Sequence, residues 1–152
     1  MSNWKAEITD ALASFQAVAE LAGMPIRKDQ LEVVLLEAPH KPPSMLPNGK
    51  LAVYGFWGDG EWLKIGMAGA NSRARYTNQH YNKGSAPSTL AASLANDPRM
   101  ARIPGFDPTE PGIWIKSWCN RANILISTDY GRGMLALLEV FLHVRLRPRY
   151  ER

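Results

Sequence analysis

The sequence predicts an α+β fold, a small antiparallel β-sheet flanked by helices with an extra N-terminal helix. Three observations predict it. Segments 51–57 and 61–66 are β-rich and joined by Gly58-Asp59-Gly60, the glycine-rich connection of a hairpin. Residues 3–22 carry apolar side chains three or four positions apart, as an amphipathic helix does. Residues 134–146 do the same more strongly, with Leu135, Leu138, Leu142 and Leu146 on one face. A locally paired sheet with helices segregated around it is an α+β arrangement.

Each element has its own signals. In 3–22, Asn3 can cap the helix and Glu7 and Asp10 favour its N-terminal half. Gly23 and Pro25 stop it. Ile8, Leu12, Phe15, Ala19 and Ala22 form its apolar stripe. Leu31 to Ala38 contains Val33-Val34-Leu35-Leu36 and reads as a strand on length and β-branching. Residues 39–49 hold four prolines and form a loop leading into the hairpin. Ala70 to Tyr81 reads as a helix capped near Asn71 or Ser72. Ser88 to Asn96 is a second short helix, capped by Ser88 and closed before Pro98. Residues 97–111 are a loop. Ile113 to Trp118 alternates as a strand does, and Ala122 to Ser127 is another candidate. Asp129 to Gly133 is a turn into the last helix. The N-terminal helix, strand and proline-rich loop (1–49) are expected to pack on a core formed by 50–152, as one globular unit.

The bulk numbers narrow the function classes. The chain has 152 residues, enough for one domain with a core. Its net charge is +4, which mildly favours an anionic partner. A single cysteine, Cys119, excludes an internal disulfide and a cysteine-based zinc site. The start of the chain, with Ser2-Asn3, lacks an apolar signal core, and no run approaches the ~18 apolar residues of a membrane span. A cytoplasmic protein is the expectation.

Individual residues carry chemistry only weakly. A strand tyrosine such as Tyr54 is ordinarily a packing residue, and Lys64 an ordinary solvated strand lysine. Arg75, beside Arg73, belongs to a basic helix face that is usually just wet. A lone His80 is more often structural than catalytic. Glu139 stands out, because it interrupts the apolar run 134–142 and a carboxylate there must be paired, metal-bound or reach a cleft. His143, four residues on, can share its face, but no third ligand is suggested and zinc takes a full tetrahedral set. Arg73, Lys83, Arg147 and Arg149, with Lys50, are candidate phosphate contacts. His40 lies among prolines and carries no signal. Cys119 has no neighbouring base to make it a nucleophile. Gly66-Met67-Ala68-Gly69 lacks the Lys-Ser/Thr ending of a phosphate loop.

The order of these residues resembles the GIY-YIG nuclease superfamily. Val53-Tyr54 resembles the first motif, and Lys64-Ile65-Gly66 the second, with lysine in place of its tyrosine. Arg75, nine residues past Gly66 and followed by Tyr76, is similar to the arginine of the first core helix, with Arg73 as the fallback. His80 is similar to a histidine found in some branches. Glu139 resembles the single metal-binding glutamate of a later helix. The resemblance covers roughly residues 50 to 150.

The resemblance implies a metal-dependent DNA endonuclease that hydrolyses phosphodiester bonds. Glu139 would hold one divalent cation, Mg²⁺ or Mn²⁺, together with the scissile phosphate and water. Tyr54 would be general base, Arg75 would stabilise charge on the phosphate, and His80 would hydrogen-bond the phosphate or relay the proton. A three-residue turn at Gly58-Asp59-Gly60 would set Tyr54 opposite Lys64, on one face, so that the ammonium favours the phenolate, whereas a two-residue turn at Asp59-Gly60 would turn Lys64 to the other face. The other reading is a GIY-YIG-like module that binds DNA or a protein without turnover. A small structural domain is the third. The N-terminal helix either makes a homodimer or merely caps the sheet.

Overall fold

The computed structural model describes residues 3–86 and 88–150. Four strands form one antiparallel sheet: β1 (Glu32–Leu36), β2 (Lys50–Gly58), β3 (Glu61–Ala68) and β4 (Asn120–Ser127), in the order β1-β4-β2-β3. Among the described residues five α-helices accompany them: α1 (Trp4–Leu21), α2 (Arg73–Thr77), α3 (Leu90–Ala95), α4 (Pro111–Trp118) and α5 (Gly131–Leu146). The α+β architecture expected from the sequence is the one observed.

Strand parity divides the core in two. Leu51, Val53, Ile65, Ala122, Ile124 and Ile126 face α1 and α5, where they meet Ile8, Leu12, Phe15, Leu135, Leu138 and Leu142. Tyr54, Phe56, Leu63 and Leu125 face the other way, onto Leu90, Leu94, Met100, Trp114 and Ile115. A sheet with apolar side chains on both faces needs cover on both. The stripe of α1 supplies one layer, and α3 and α4 the other. Asn3 caps α1 through its side chain, as its type requires, accepting from the Ala6 N–H. Glu7 accepts from Trp62 Nε1 at 2.9 Å and ties α1 to β3.

The hairpin turn is shorter than expected. Asp59 (φ 51°) and Gly60 (φ 79°) are both left-handed, the two-residue turn whose twist suits a hairpin. Gly58 therefore pairs with Glu61 and Trp57 with Trp62. A bulge follows, the register slips, and Phe56 pairs with Lys64 and Tyr54 with Gly66. Tyr54 and Lys64 are thus not opposite one another as expected. The bulge nevertheless restores parity, so Lys64 keeps the same face as Phe56 and Tyr54. The outer edge of β3 is closed by the C-terminal segment, where the Arg149 and Tyr150 N–H groups donate to Trp62 and Leu63 carbonyls.

Several elements differ from the sequence expectation, and the expected loop over 97–111 contains a 3-10 helix over Pro98–Arg102. Residues 113–118 are not a strand but part of α4. Pro111 at the first helical position presets the backbone, and Trp114 and Ile115 are buried while Ile113 and Trp118 are 58% and 64% exposed. That is helical, not alternating, burial. The helix also lies so close to Tyr81 that a Cβ on Gly112 would meet its carbonyl oxygen at 2.2 Å. The helix expected over 70–81 is only Arg73–Thr77. It breaks at Asn78 (φ −132°) and resumes as a 3-10 turn over Gln79–Tyr81. That break turns both His80 and Tyr81 inward to burial. The following helix is capped by Thr89, not Ser88, through its side chain to the Ala92 N–H.

Candidate active site

Tyr54 stands mid-strand in β2 with no exposed surface. Its ring passes over its sheet partner Gly66, where a Cβ would meet the phenol oxygen at 2.7 Å. Only glycine fits there, which gives the last residue of Lys64-Ile65-Gly66 a steric reason.

His80, also fully buried, closes on the hydroxyl: Nε2 lies 2.6 Å from Tyr54 Oη. The Leu90 N–H donates to His80 Nδ1 at 3.1 Å. Nδ1 therefore carries no proton, and the neutral ring bears it on Nε2. Nε2–H donates to the phenol oxygen, and the Tyr54 hydroxyl proton is directed elsewhere. Burial, then the charges of Arg75, Lys64 and Arg121, push the imidazole down to about 2. His80 is a fixed neutral donor at ordinary pH and does not carry a proton away.

Arg75 connects the phenol to solvent. It is half-buried on α2, and its charge and a hydrogen bond act on Tyr54. It also lines a cleft of about 530 Å³ with Leu51, Met67, Ser72, Arg132 and Glu139. Burial raises the phenol above its ordinary value, while Arg75 and Arg121 pull it down and Glu139 adds to the rise. The structure thus brings together Tyr54, His80, Arg75 and Glu139, drawn from β2, a 3-10 turn, α2 and α5. Another groove, of about 420 Å³, lies between α1 and β1 and is lined largely by Leu12, Ala13, Leu31, Val33 and Leu35. It lacks the acid–base set that the cleft holds.

Lys64 is fully buried, and its charge is felt at His80. The cations that depress the Tyr54 phenol are instead Arg75 and Arg121. The direct partnership expected between Lys64 and Tyr54 is replaced by this arrangement, because the two-residue turn and the bulge together set Lys64 opposite Phe56, two residues along β2.

Two residues of the cleft and its wall escape sequence reasoning. Arg132 lies two turns before Glu139 on α5 and joins it in the cleft. Spacing alone could have found it. Arg121 is fully buried on β4. Its guanidinium carbon lies 5.0, 4.9 and 5.0 Å from the ring centroids of Tyr54, Phe56 and Tyr76. Nε donates to Asn123 Oδ1 at 2.8 Å, one Nη to the Tyr81 hydroxyl at 3.1 Å and the other to the Tyr76 carbonyl at 2.6 Å. Tyr81 in turn meets His40 Nε2 at 2.8 Å, and His40 Nδ1 lies 2.8 Å from the Cys119 carbonyl. A carbonyl can only accept, so His40 Nδ1–H donates to it and Nε2 accepts from the Tyr81 hydroxyl. His40, without signal in the sequence, is a buried member of the wall. Burial pushes the Cys119 thiol well above its ordinary value.

The expected phosphate contacts divide. Arg73 and Arg147 are exposed, as is Lys83, whose Nζ donates to the Pro108 carbonyl at 3.3 Å. Arg149 is a correction: its side chain is only 5% exposed and is held by Asp59 at 2.7 Å, Glu61 at 2.8 Å and Asp97 at 3.8 Å. It pins the C-terminal segment to the hairpin turn. His143 does not pair with Glu139 as a ligand; its Nε2–H donates to the Ile65 carbonyl at 3.0 Å.

Among the described residues, no three His, Cys, Asp or Glu side chains gather as a metal cage. Glu139, a single carboxylate in a cleft of mixed polar and apolar lining, suits only a hard cation that draws its remaining ligands from water and substrate. No helix of the described residues is long and apolar enough to cross a membrane. No family model matches the chain, and no curated protein or solved structure is found to be similar to it.

Proposed function

We propose that this chain is a GIY-YIG-type endonuclease that hydrolyses phosphodiester bonds in DNA with Mg²⁺ or Mn²⁺. The observation that carries the reading is the meeting of the Tyr54 hydroxyl with His80 and Arg75 beside a cleft holding Glu139. A net charge of +4, with Arg73, Lys83 and Arg147 each exposed, suits a polyanion.

In this reading Arg75 and Arg132 receive the phosphate in the cleft. Arg75 touches both the phenol and the cleft, so turning onto a phosphate would uncover Tyr54 to water. Tyr54, once it has lost its own proton to water in the opened cleft, accepts a proton from the attacking water as phenolate and returns to the phenol. The Nε2–H of His80 already points at that oxygen and stabilises the charged form. Glu139 would hold the cation, which would supply charge stabilisation to the departing oxygen.

The second reading is a DNA- or protein-binding module of the same architecture without turnover. Complete burial of Tyr54 and its raised pKa favour it, since an uncharged phenol is a poor base. Supercoiled plasmid separates the two. Nicking that needs Mg²⁺ or Mn²⁺, stops with a chelator and is lost in Glu139→Gln supports the enzyme. Retarded plasmid with no nicking under any metal supports the module.

A further inference from the structure

We propose that Arg121 is the fixed counter-charge of a Tyr54 phenolate and thereby a positioning residue for the proposed reaction. Its part in a reaction rests on that reading; the coupling of the two charges does not.

The argument begins with what a buried guanidinium needs. Arg121 has no exposed surface, and a buried cation is costly unless offset. Among the described residues its hydrogen bonds end on neutral oxygens only: the Asn123 amide, the Tyr81 hydroxyl and the Tyr76 carbonyl. Three aromatic faces add cation–π attraction. None of these groups carries a formal negative charge. The aromatic surface that faces Arg121 includes Tyr54, whose hydroxyl already accepts a hydrogen bond from His80.

Geometry makes the charge stationary. Asn123, two residues on along β4, holds Nε, and the Tyr81–His40–Cys119 chain holds one Nη from behind. Arg75, half-buried on a five-residue helix, lines the cleft where a substrate would reach it. Arg121 does not. A phenolate that outlives the movement of Arg75 therefore keeps one permanent cation against its ring.

The charged and titratable groups around Tyr54 come from every neighbouring element. They are Arg75 and Tyr76 of α2, His80 of the 3-10 turn, Lys64 of β3, Arg121 of β4 and Glu139 of α5. Burial raises the phenol and Arg121 is one of two cations opposing that rise. His80 stays neutral throughout, so its contribution does not change with pH near neutrality.

The test is the titration of Tyr54 in the full-length protein, read by NMR of ζ-¹³C-labelled tyrosine and assigned with Tyr54→Phe. Arg121→Met removes the charge and keeps apolar packing. Arg121→Gln is a second neutral variant should the first fail to fold, and Arg121→Lys keeps the charge without the planar stack. The Tyr54 pKa is expected to rise by about one unit or more in a folded neutral variant, and to stay within about half a unit in Arg121→Lys. A folded neutral variant in which Tyr54 titrates as in the wild type overturns the proposal. So does a wild-type Tyr54 that remains protonated up to alkaline unfolding. A purely structural arginine predicts equal loss of stability in Lys and Met variants with no change in titration. Plasmid nicking is scored separately: its absence in the wild type refutes the endonuclease reading and leaves the charge coupling to be judged by the titration.

Discussion

His80 donates its Nε2 proton to Tyr54 Oη at 2.6 Å because the Leu90 N–H occupies its other nitrogen. This direction of donation decides the chemistry available. His80 Nε2 already carries a proton and Nδ1 is taken by the Leu90 N–H, so His80 cannot accept the phenol proton; it favours a phenolate and does not create one. Its pH behaviour follows. Above about pH 6.5 the ring is neutral in folded and unfolded chains alike, and its stabilising contacts are complete. Below that, the unfolded chain binds a proton that the folded chain, with a pKa of about 2, does not. Stability is lost at up to about 1.4 kcal/mol per pH unit from this one group. His40, also lowered by burial, acts in the same direction. The urea midpoint should fall between pH 7 and pH 5, and the slope should lessen in His80→Gln. A midpoint flat across that range contradicts the buried neutral imidazole.

Glu139 is half-buried on α5 and lines the cleft. Glu139→Gln keeps its volume and removes its charge. Metal-dependent nicking should drop below detection, with the circular dichroism spectrum unchanged. Mn²⁺ binding by calorimetry should weaken in parallel. Nicking at the wild-type rate would remove Glu139 from the cation site.

Arg75 and Arg73 lie on the same short helix, but it is Arg75 that acts on Tyr54 and lines the cleft; Arg73 is exposed. Arg75→Ala should lower turnover by about 10² or more, the order for removing one group that stabilises transition-state charge. DNA affinity should change much less. Arg73→Ala should do little to turnover. The reverse ranking would show that Arg73 is the transition-state cation.

The C-terminal arginines separate in a similar way. Arg147 caps α5 in a left-handed conformation and is exposed. Arg147→Ala should weaken DNA binding at all sequences and reduce the salt slope by about 1. Arg149 serves the fold. Its loss removes charge-assisted bonds to Asp59 and Glu61, worth roughly 1.5–3 kcal/mol each when well buried. Those carboxylates are about a third exposed, so solvent screening reduces the figure to about 2 kcal/mol in total. Arg149→Ala should lower the melting temperature without changing the salt slope. An altered slope with an unchanged melting temperature would return Arg149 to the DNA surface.

The sequence made the strongly periodic parts legible. The stripe of α1, the hairpin glycines and the leucines of α5 each repeat a signal over enough residues to name an element. In α4 the eight residues are too few for period to decide, and Ile113-Trp114-Ile115 imitates a strand. Pro111 was the better guide. Tyr54, His80, Arg75 and Glu139 were picked out by their order along the chain, and the fold gathers them. Arg121 was not, because Arg121 and Asn123 alternate with Ala122, Ile124 and Ile126 as the wet face of a half-buried strand would. Whether that face is wet depends on Tyr76 and Tyr81, 45 and 40 residues away. The register of Lys64 failed for a similar reason. A bulge is set by how Leu63 and Lys64 pack on the face below them, and turn chemistry alone does not contain it.

Gly66 offers a test of the geometry that needs no activity. A methyl on its Cα would meet Tyr54 Oη at 2.7 Å and the ring carbon bearing it at 2.8 Å. The ring has little room to yield, since His80 holds its hydroxyl and Phe56 and Tyr76 stand edge-on beside it. Gly66→Ala should therefore destabilise by about 1–3 kcal/mol, the usual range for forcing a group into a packed interior. It should also disturb the Tyr54–His80 hydrogen bond. If nicking is observed, it should fall by more than the unfolded fraction explains. Tyr54→Phe on the Gly66→Ala background removes the first of the two close contacts and leaves the second. The double variant should recover part of the stability, so that the two changes couple favourably. Strict additivity of the two substitutions would mean that the phenol does not lie across Gly66.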